Sequence, residues 1–173
     1  MVEIRLLEAA DAAELLELRL RNRAFLEPWE PLRDERFFTA AGQEEIVRGA
    51  LRERDEGRAL PFVVVADGAL VGGVNLNGIV RGVFGNAYLG YWIDEAHGGR
   101  GIATEAVRLA VSYAFVVGGL HRVQAAVIPR NTGSIRVLEK NGFREEGLAL
   151  RYLRINGVWE DHKLFAVTRE EWR

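Results

Sequence analysis

The residues best placed to do chemistry lie between Asn86 and Ala106, in the run NAYLGYWIDEAHGGRGIATEA. Its first part, Ala87 to Ile93, is rich in aromatic and aliphatic residues and reads as a buried strand. The chain then breaks at Asp94-Glu95, passes through Gly98-Gly99-Arg100-Gly101, and opens an apolar-periodic segment. A strand, a glycine loop and a helix start place unbonded backbone N–H groups at a helix N-terminus, where about half a positive charge accumulates. That combination binds phosphate, and glycine lets the anion reach the amides without meeting a side chain. The spacing is neither G-x-x-x-x-G-K-[ST] nor G-x-G-x-x-G, so it specifies neither a P-loop nor a dinucleotide fold. On the residues alone, such a loop serves equally well as a structural turn.

The elements that must position this loop follow from periodicity. Val2, Ile4 and Leu6 alternate in a first strand, Val2 to Leu7. Asp11 and Glu14 make a capping-box pattern ahead of Leu15, Leu16, Leu18 and Leu20, which predicts a helix to about Arg23. Pro28 and Pro31 then force an extended or turned loop. Phe25 and Leu26 read there as packing residues, and Trp29 and Glu30 as a lip over a pocket. A second helix spans about Ala40 to Glu56, closed by Gly57. Pro61–Ala66 and Ala69–Leu76 form a hairpin around Asp67-Gly68. Asn86–Asp94 is the central strand, Gly101–Val117 a helix with a small-residue face, and Arg122–Ile128 the next strand. Asn131–Asn141 is a short helix closed by Gly142. Phe143–Ile155 and Val158–Thr168 pair around Asn156-Gly157. The pattern is one α/β domain over residues 1–173 with a mixed, mostly antiparallel sheet flanked by helices.

Composition narrows the class. Half the residues are close to apolar, at 49%, which argues for a packed core rather than disorder. No cysteine is present, so disulfides, a thiol nucleophile and thiolate metal sites are excluded. His97, His121 and His162 are scattered, and no metal site is read from them. No apolar run approaches a membrane span, so a cytoplasmic protein without membrane attachment is expected. The net charge of −2 hides an asymmetry: Glu8–Glu56 carries 13 acidic and 8 basic residues, Arg100–Arg154 carries 9 basic and 4 acidic. That suits a polyanionic ligand at the C-terminal half and a cationic one at the N-terminal half, or two ordinary solvated faces. The slight acidity and lack of a recognition motif argue against nucleic acid.

The run G-R-G-I-A-T-E-A resembles the pyrophosphate loop R/Q-x-x-G-x-G/A of the GNAT superfamily of N-acetyltransferases. Gly101 and Ala103 fill its last two fixed positions; Gly98 departs from the usual Gln or Arg. A second segment, N-T-G-S-I-R-V-L-E-K-N-G-F from Asn131 to Phe143, resembles the family's N-x-x-[SA]-x-x-[LV]-x-E-K-x-G-F. Asn131 follows Gly101 by 30 positions. N-R-A-F-L-E-P-W-E-P, V-R-G-V-F, Y-L-G-Y and I-N-G-V-W-E-D-H are similar to its RimJ/RimL-like branch, with the RimJ side acetylating the N-terminal alanine of a ribosomal small-subunit protein.

The resemblance implies a GNAT fold in which acetyl-CoA sits between two parallel strands that splay apart. A neutral amine would attack the thioester, with the oxyanion held by a backbone N–H of the central strand. Ile93 would offer backbone groups to the thioester and pantetheine. Gly98, Gly99, Arg100, Gly101, Ile102, Ala103 and Thr104 would hold the pyrophosphate. Asn131 would bond the pantetheine or cap its helix. Ser134 is the candidate for protonating the leaving thiolate, because Leu138 stands where many relatives have Tyr. The general base is not assigned. Leu153 and Tyr88 occupy positions where relatives carry Glu, which leaves Glu30, Tyr88, or a water held by Asn75 or Asn77. Glu30 ranks first for holding a substrate ammonium, with Trp29 limiting the first side chain. The expected acceptor is a protein N-terminus, ribosomal by resemblance. The alternatives are a small amine such as an antibiotic or polyamine, and a silent acyl-CoA-binding module. Self-association into a homodimer is left open.

Overall fold

The computed structural model describes residues 1–173. Seven strands form one sheet: β1 (Val2–Leu6), β2 (Leu60–Ala66), β3 (Ala69–Val80), β4 (Asn86–Ile93), β5 (Arg122–Val127), β6 (Arg144–Ile155) and β7 (Val158–Thr168). Their spatial order is β1-β2-β3-β4-β5-β7-β6. Every neighbouring pair is antiparallel except β4 and β5, which run parallel. The parallel register covers only Asn86–Tyr88 against Arg122–Gln124. Beyond Tyr88 the two strands part, so the sheet opens into a V at its centre.

A parallel pair needs a crossover helix, and α4 (Ile102–Val116) supplies it. Ala106, Val107, Ala110, Val111 and Ala114 on its inner face are fully buried. These small side chains let the helix lie close to the sheet, packing on Val74, Leu76, Ala87, Val123 and Phe165. The short helix α5 (Thr132–Lys140) joins the same layer through Leu138. The opposite face of the sheet carries α1 (Ala12–Arg21) and α3 (Ala40–Asp55), around Leu18, Val47, Val63 and Leu70, with Trp92 of β4 packed against them. Alternation along β4 therefore sends Leu89, Tyr91 and Ile93 toward α4, and Gly90 and Trp92 toward α1.

Local chemistry explains where the structure departs from the sequence reading. The capping box forms one step earlier than Asp11/Glu14: the Glu8 amide donates to Asp11 at 2.8 Å, and Glu14 instead accepts from the Leu70 amide at 3.3 Å. The first helix is broken at Asn22, and a four-residue helix α2 (Arg23–Leu26) follows. Of the two forms expected for the proline stretch, extended or turned, it takes the turned one, a 3-10 turn over Glu27–Trp29 with Pro28 in the first turn where it needs no donor. β3 runs four residues past the expected Leu76, with an irregularity after Asn77. The turns at Asp67-Gly68 and Asn156-Gly157 have positive φ at both residues, as a type I′ hairpin demands.

Gly72 pairs with Ile93 across β3 and β4. A Cβ there would stand 2.2 Å from the Trp92 carbonyl oxygen and 3.0 Å from Ile93 Cα, both backbone atoms that cannot swing aside. Gly72→Ala is expected to cost about 1–3 kcal/mol and to lower Tm by several degrees. Gly90→Ala, with nothing within 4 Å of the added carbon, should leave Tm nearly unchanged. Thermal unfolding of the pair checks this; equal effects would mean β4 has room to move.

Candidate functional site

The V between β4 and β5 continues as a cleft of ≈ 450 Å³. One end meets Gly98, Gly99 and Ala103 of the glycine loop; the other meets Phe25, Leu26, Trp29 and Glu30 of the lip after α1. Its floor is made by the splayed strands. The Asp94 amide donates to Val71 of β3 at 2.8 Å. Because successive amides of a strand point to opposite sides, the N–H groups of Ile93 and Tyr91 turn toward the gap left by β5. They are unpaired donors facing the cleft, in the middle of the sheet.

At the loop, Gly99 and Gly101 have φ of 72° and 77°, and nothing lies within 4 Å of where a Cβ would be. This left-handed backbone favours glycine, and the empty space around it is what an anion needs. Glu105 makes the first bond of α4, to the Gly101 carbonyl at 3.0 Å. The amides of Ile102, Ala103 and Thr104 thus have no intrahelical acceptor. The Ile102 side chain itself is core, 5% exposed. The Thr104 carbonyl accepts from Asn141 at 3.1 Å, so that residue also joins α4 to α5. Arg100 is exposed and reaches only toward Asp67, at 3.8 Å.

Asn131 caps α5, its Oδ1 accepting from the Ser134 amide at 3.2 Å. That leaves Nδ2 as a donor on the cleft wall. The Ser134 hydroxyl pairs with the Tyr91 hydroxyl at 2.7 Å, and the same phenol lies 3.0 Å from the Ser134 carbonyl oxygen, to which it donates. Burial pushes the Tyr91 phenol up to about 12, the bond with Ser134 acting the other way. Tyr91 is therefore neutral and protonated throughout the physiological range, a donor on the α4 side of the cleft.

The lip is held by a cation–aromatic stack. Arg19 lies 4.0 Å from the Trp92 ring centroid and 5.4 Å from that of Phe37, and donates to Glu30 at 2.6 Å. Arg33 adds a second contact to Glu30 at 3.9 Å. Glu30, ranked first from sequence for holding a substrate ammonium, lines the cleft with its charge already matched by Arg19 inside a largely buried pair. The Glu30 carbonyl also accepts from the Asn156 amide at 2.8 Å, tying the lip to the β6–β7 turn. Trp29 lines the cleft beneath Arg130, whose guanidinium is 5.5 Å from its ring centroid. Tyr88 and Asn77 pair with each other at the last register before the V and do not line the cleft. Asn75 lies in a separate pocket of ≈ 240 Å³ under α3, walled off by Trp92 and Arg19. No water-holding role for Asn75 or Asn77 in the cleft is supported by these positions.

Three lining residues were not singled out from sequence. Tyr91 and Trp92 belong to opposite faces of β4, a distinction that strand alternation alone encodes. His162 is 3% exposed and lines the cleft from β7; alternation with Phe165 and Val167, which enter the α4-side core, could have placed it on the lip side.

Lip and loop meet at Asp94, which is 1% exposed. It accepts from Arg21 at 2.7 Å, from Asn22 at 2.8 Å and from His97 Nδ1 at 2.8 Å. Burial alone would raise its pKa, but those hydrogen bonds outweigh it and hold the carboxyl well below the usual range.

Residues 2–144 match the acetyltransferase (GNAT) domain. The chain is 45% identical to the probable N-acetyltransferase YjcK of Bacillus subtilis, over 96% of this chain and 93% of that one. It is 36% identical to the [ribosomal protein uS5]-alanine N-acetyltransferase of Escherichia coli, over 98% and 88% respectively. The solved structure of Mycobacterium smegmatis RimJ in complex with CoA-disulfide superposes with a TM-score of 0.95 at 40% identity, covering 98% of this chain and 83% of that one.

Because the folded pKa of Asp94 is depressed, its stabilising effect is complete above the unfolded value of about 3.9 and is lost as the pH falls through the folded value. Asp94→Asn should be less stable than the parent at pH 7, and the gap should narrow from about pH 5 downward. Urea unfolding across that range measures it. A gap independent of pH would assign Asp94 to packing alone.

Proposed function

The chain belongs to the acetyltransferase (GNAT) family, and from that premise we propose that it transfers the acetyl group of acetyl-CoA to the α-amine of an N-terminal alanine on a ribosomal small-subunit protein. The observation that carries this reading is the continuous cleft from glycine loop to lip, crossed midway by unpaired strand amides. The loop side suits a pyrophosphate and the lip side a small first residue. The relative from Escherichia coli, named for alanine of uS5, matches over 98% of this chain and 88% of its own length.

The amides of Ile102, Ala103 and Thr104, with Gly98–Gly101, hold the pyrophosphate. The Asn131 Nδ2 meets an amide oxygen of the pantetheine arm. The Ile93 N–H receives the thioester oxygen and stabilises the negative charge that grows on it as the amine attacks, a contribution of a few kcal/mol where donors are fixed in advance. The C–N bond forms, the C–S bond breaks, and the nitrogen loses one proton while the sulfur gains one. An α-amine of pKa about 7.7–8.0 is partly neutral at pH 7, whereas a lysine amine of about 10.4 is scarcely so. On the α4 side the Tyr91 phenol donates to the Ser134 carbonyl and holds the Ser134 hydroxyl, whose proton can turn from the Tyr91 oxygen to the departing thiolate. Glu30 acts by fixing Arg19 and the lip, and Trp29 by narrowing the space for the first side chain.

Acetyl transfer to Ala- and Ser-starting peptides, run beside polyamines and aminoglycosides, tests the acceptor class. A preference for the peptides by at least tenfold in kcat/KM is expected, and a preference for a free polyamine or aminoglycoside overturns it. Trp29→Ala should relax selectivity toward bulkier first residues. Tyr91→Phe and Ser134→Ala should each lower kcat on the order of 10–100-fold with a smaller change in the acetyl-CoA KM. Unchanged kcat in both, with chemistry rate-limiting, would make the pair structural.

A further inference from the structure

The cleft holds one titratable ring that none of these roles uses. His162 sits on β7, next to the strand end where β5 leaves the V: Val127 pairs with Lys163, and Ala149 of β6 pairs with His162. Phe165 and Val167 turn into the α4-side core. His162, three and five positions away, therefore faces the other side of the sheet, the side of Trp92, Trp29 and the lip. Tyr91 and Ser134 approach the cleft from the opposite side.

Its tautomer is set by the backbone. Nδ1 is 2.9 Å from the Glu160 carbonyl oxygen, which can only accept, so Nδ1 carries the hydrogen and donates. Nε2 is left with its lone pair and no protein partner. The buried side-chain nitrogen and oxygen atoms without any hydrogen bond are those of Asn86 alone, so Nε2 is not sealed in the core; its open side is the cleft it lines. The Tyr152 ring, at a centroid distance of 5.6 Å, supports the imidazole from β6. The charged groups around it are already paired: Glu160 on the same strand with Arg130 at 3.0 Å, and Glu30 of the lip with Arg19 at 2.6 Å. Asp161 accepts from the Arg151 amide at 2.8 Å. Glu160 and Glu30 already balance cations and Asp161 is turned to the Arg151 amide, whereas Nε2 has no partner to give up.

We propose that His162 is the general base of the transfer, its Nε2 accepting the proton that the acceptor nitrogen loses as the C–N bond forms. This deepens the acetyl-transfer reading and rests on it. The proton moves from nitrogen to Nε2, the imidazolium keeps its Nδ1–H on the Glu160 carbonyl, and the ring returns the proton to solvent after product leaves. The base on one side of the sheet and the Tyr91–Ser134 donor pair on the other give the two proton transfers separate groups.

The test compares the pH dependence of kcat, with an Ala-starting peptide, in the parent protein and in His162→Gln, which keeps polarity and approximate size but cannot take a proton. The parent should show an acidic limb of unit slope, the rate falling as the base takes up a proton. His162→Gln should lose that limb and fall on the order of 10²-fold or more in kcat at pH 7, while its acetyl-CoA affinity by calorimetry stays within about twofold of the parent's. A kcat that is flat with pH in the parent, a measurement needing no variant, overturns the proposal. So does a folded variant with an unchanged profile. Parent protein that binds acetyl-CoA yet acetylates no amine offered would instead overturn the acetyl-transfer reading itself.

Discussion

Asp94 is the point on which the two halves of the site depend. A carboxylate removed from water must be matched by donors or it neutralises itself. Here the donors come from both directions: Arg21 and Asn22 from the end of α1, and His97 from the turn that leads into the glycine loop. Asn22 returns the favour, its Oδ1 accepting from the Glu95 amide at 2.8 Å. The residue that breaks the first helix is therefore the one that bolts it to the central strand. The lip begins shortly after that bolt, and the glycine loop follows Asp94 across the short turn Glu95–His97. Neither can shift without the other feeling it.

The lip itself is rigid for a different reason. Arg19 is sandwiched against Trp92 and Phe37 and neutralised by Glu30, while the Glu30 backbone is held by Asn156. Burial lowers the pKa of Arg19, with Glu30 opposing the effect, yet a guanidinium still keeps its charge at any ordinary pH. A charged group so enclosed is tolerable only with its partner and ring faces in place. Part of the acidic character read from the N-terminal half is matched within the fold, as in Arg5 with Asp11 and Arg23 with Glu35, while Glu17, Glu27 and Glu44 face solvent without an ion pair.

Period and turn chemistry made most of the architecture legible. The alternation in β1, the small-residue face of α4, Gly142 after α5 and the two positive-φ hairpin turns all report local preferences, and local preferences are written locally. The glycine loop was legible for the same reason, since φ near 75° and open space at Gly99 and Gly101 are properties of a few consecutive residues. What escaped depended on partners far away in the chain. Asn22 looks like any polar helix residue until Asp94, 72 positions on, is beside it. Glu30 looks free until Arg19 closes on it. Tyr91 and His162 became visible only once the faces of β4 and β7 were assigned, because a side chain's direction across a sheet is fixed by register.

The short register between β4 and β5 has a consequence for how the molecule comes apart. Three residue pairs join a four-stranded half, β1 to β4, to a three-stranded half, β5 to β7. Below that seam the backbone bonds that would ordinarily weld neighbouring strands are missing, and the halves are joined there by α4 and by contacts such as Tyr91–Ser134 and Glu30–Asn156. Any molecule that bonds the inward amides of β4 behaves as a temporary eighth strand. By mass action it adds RT ln(1 + [L]/Kd) to the free energy of unfolding, about 2.7 kcal/mol at a hundredfold excess over Kd. The protein's resistance to heat and proteolysis is then set partly by the concentration of a small molecule: its lifetime becomes a readout of supply.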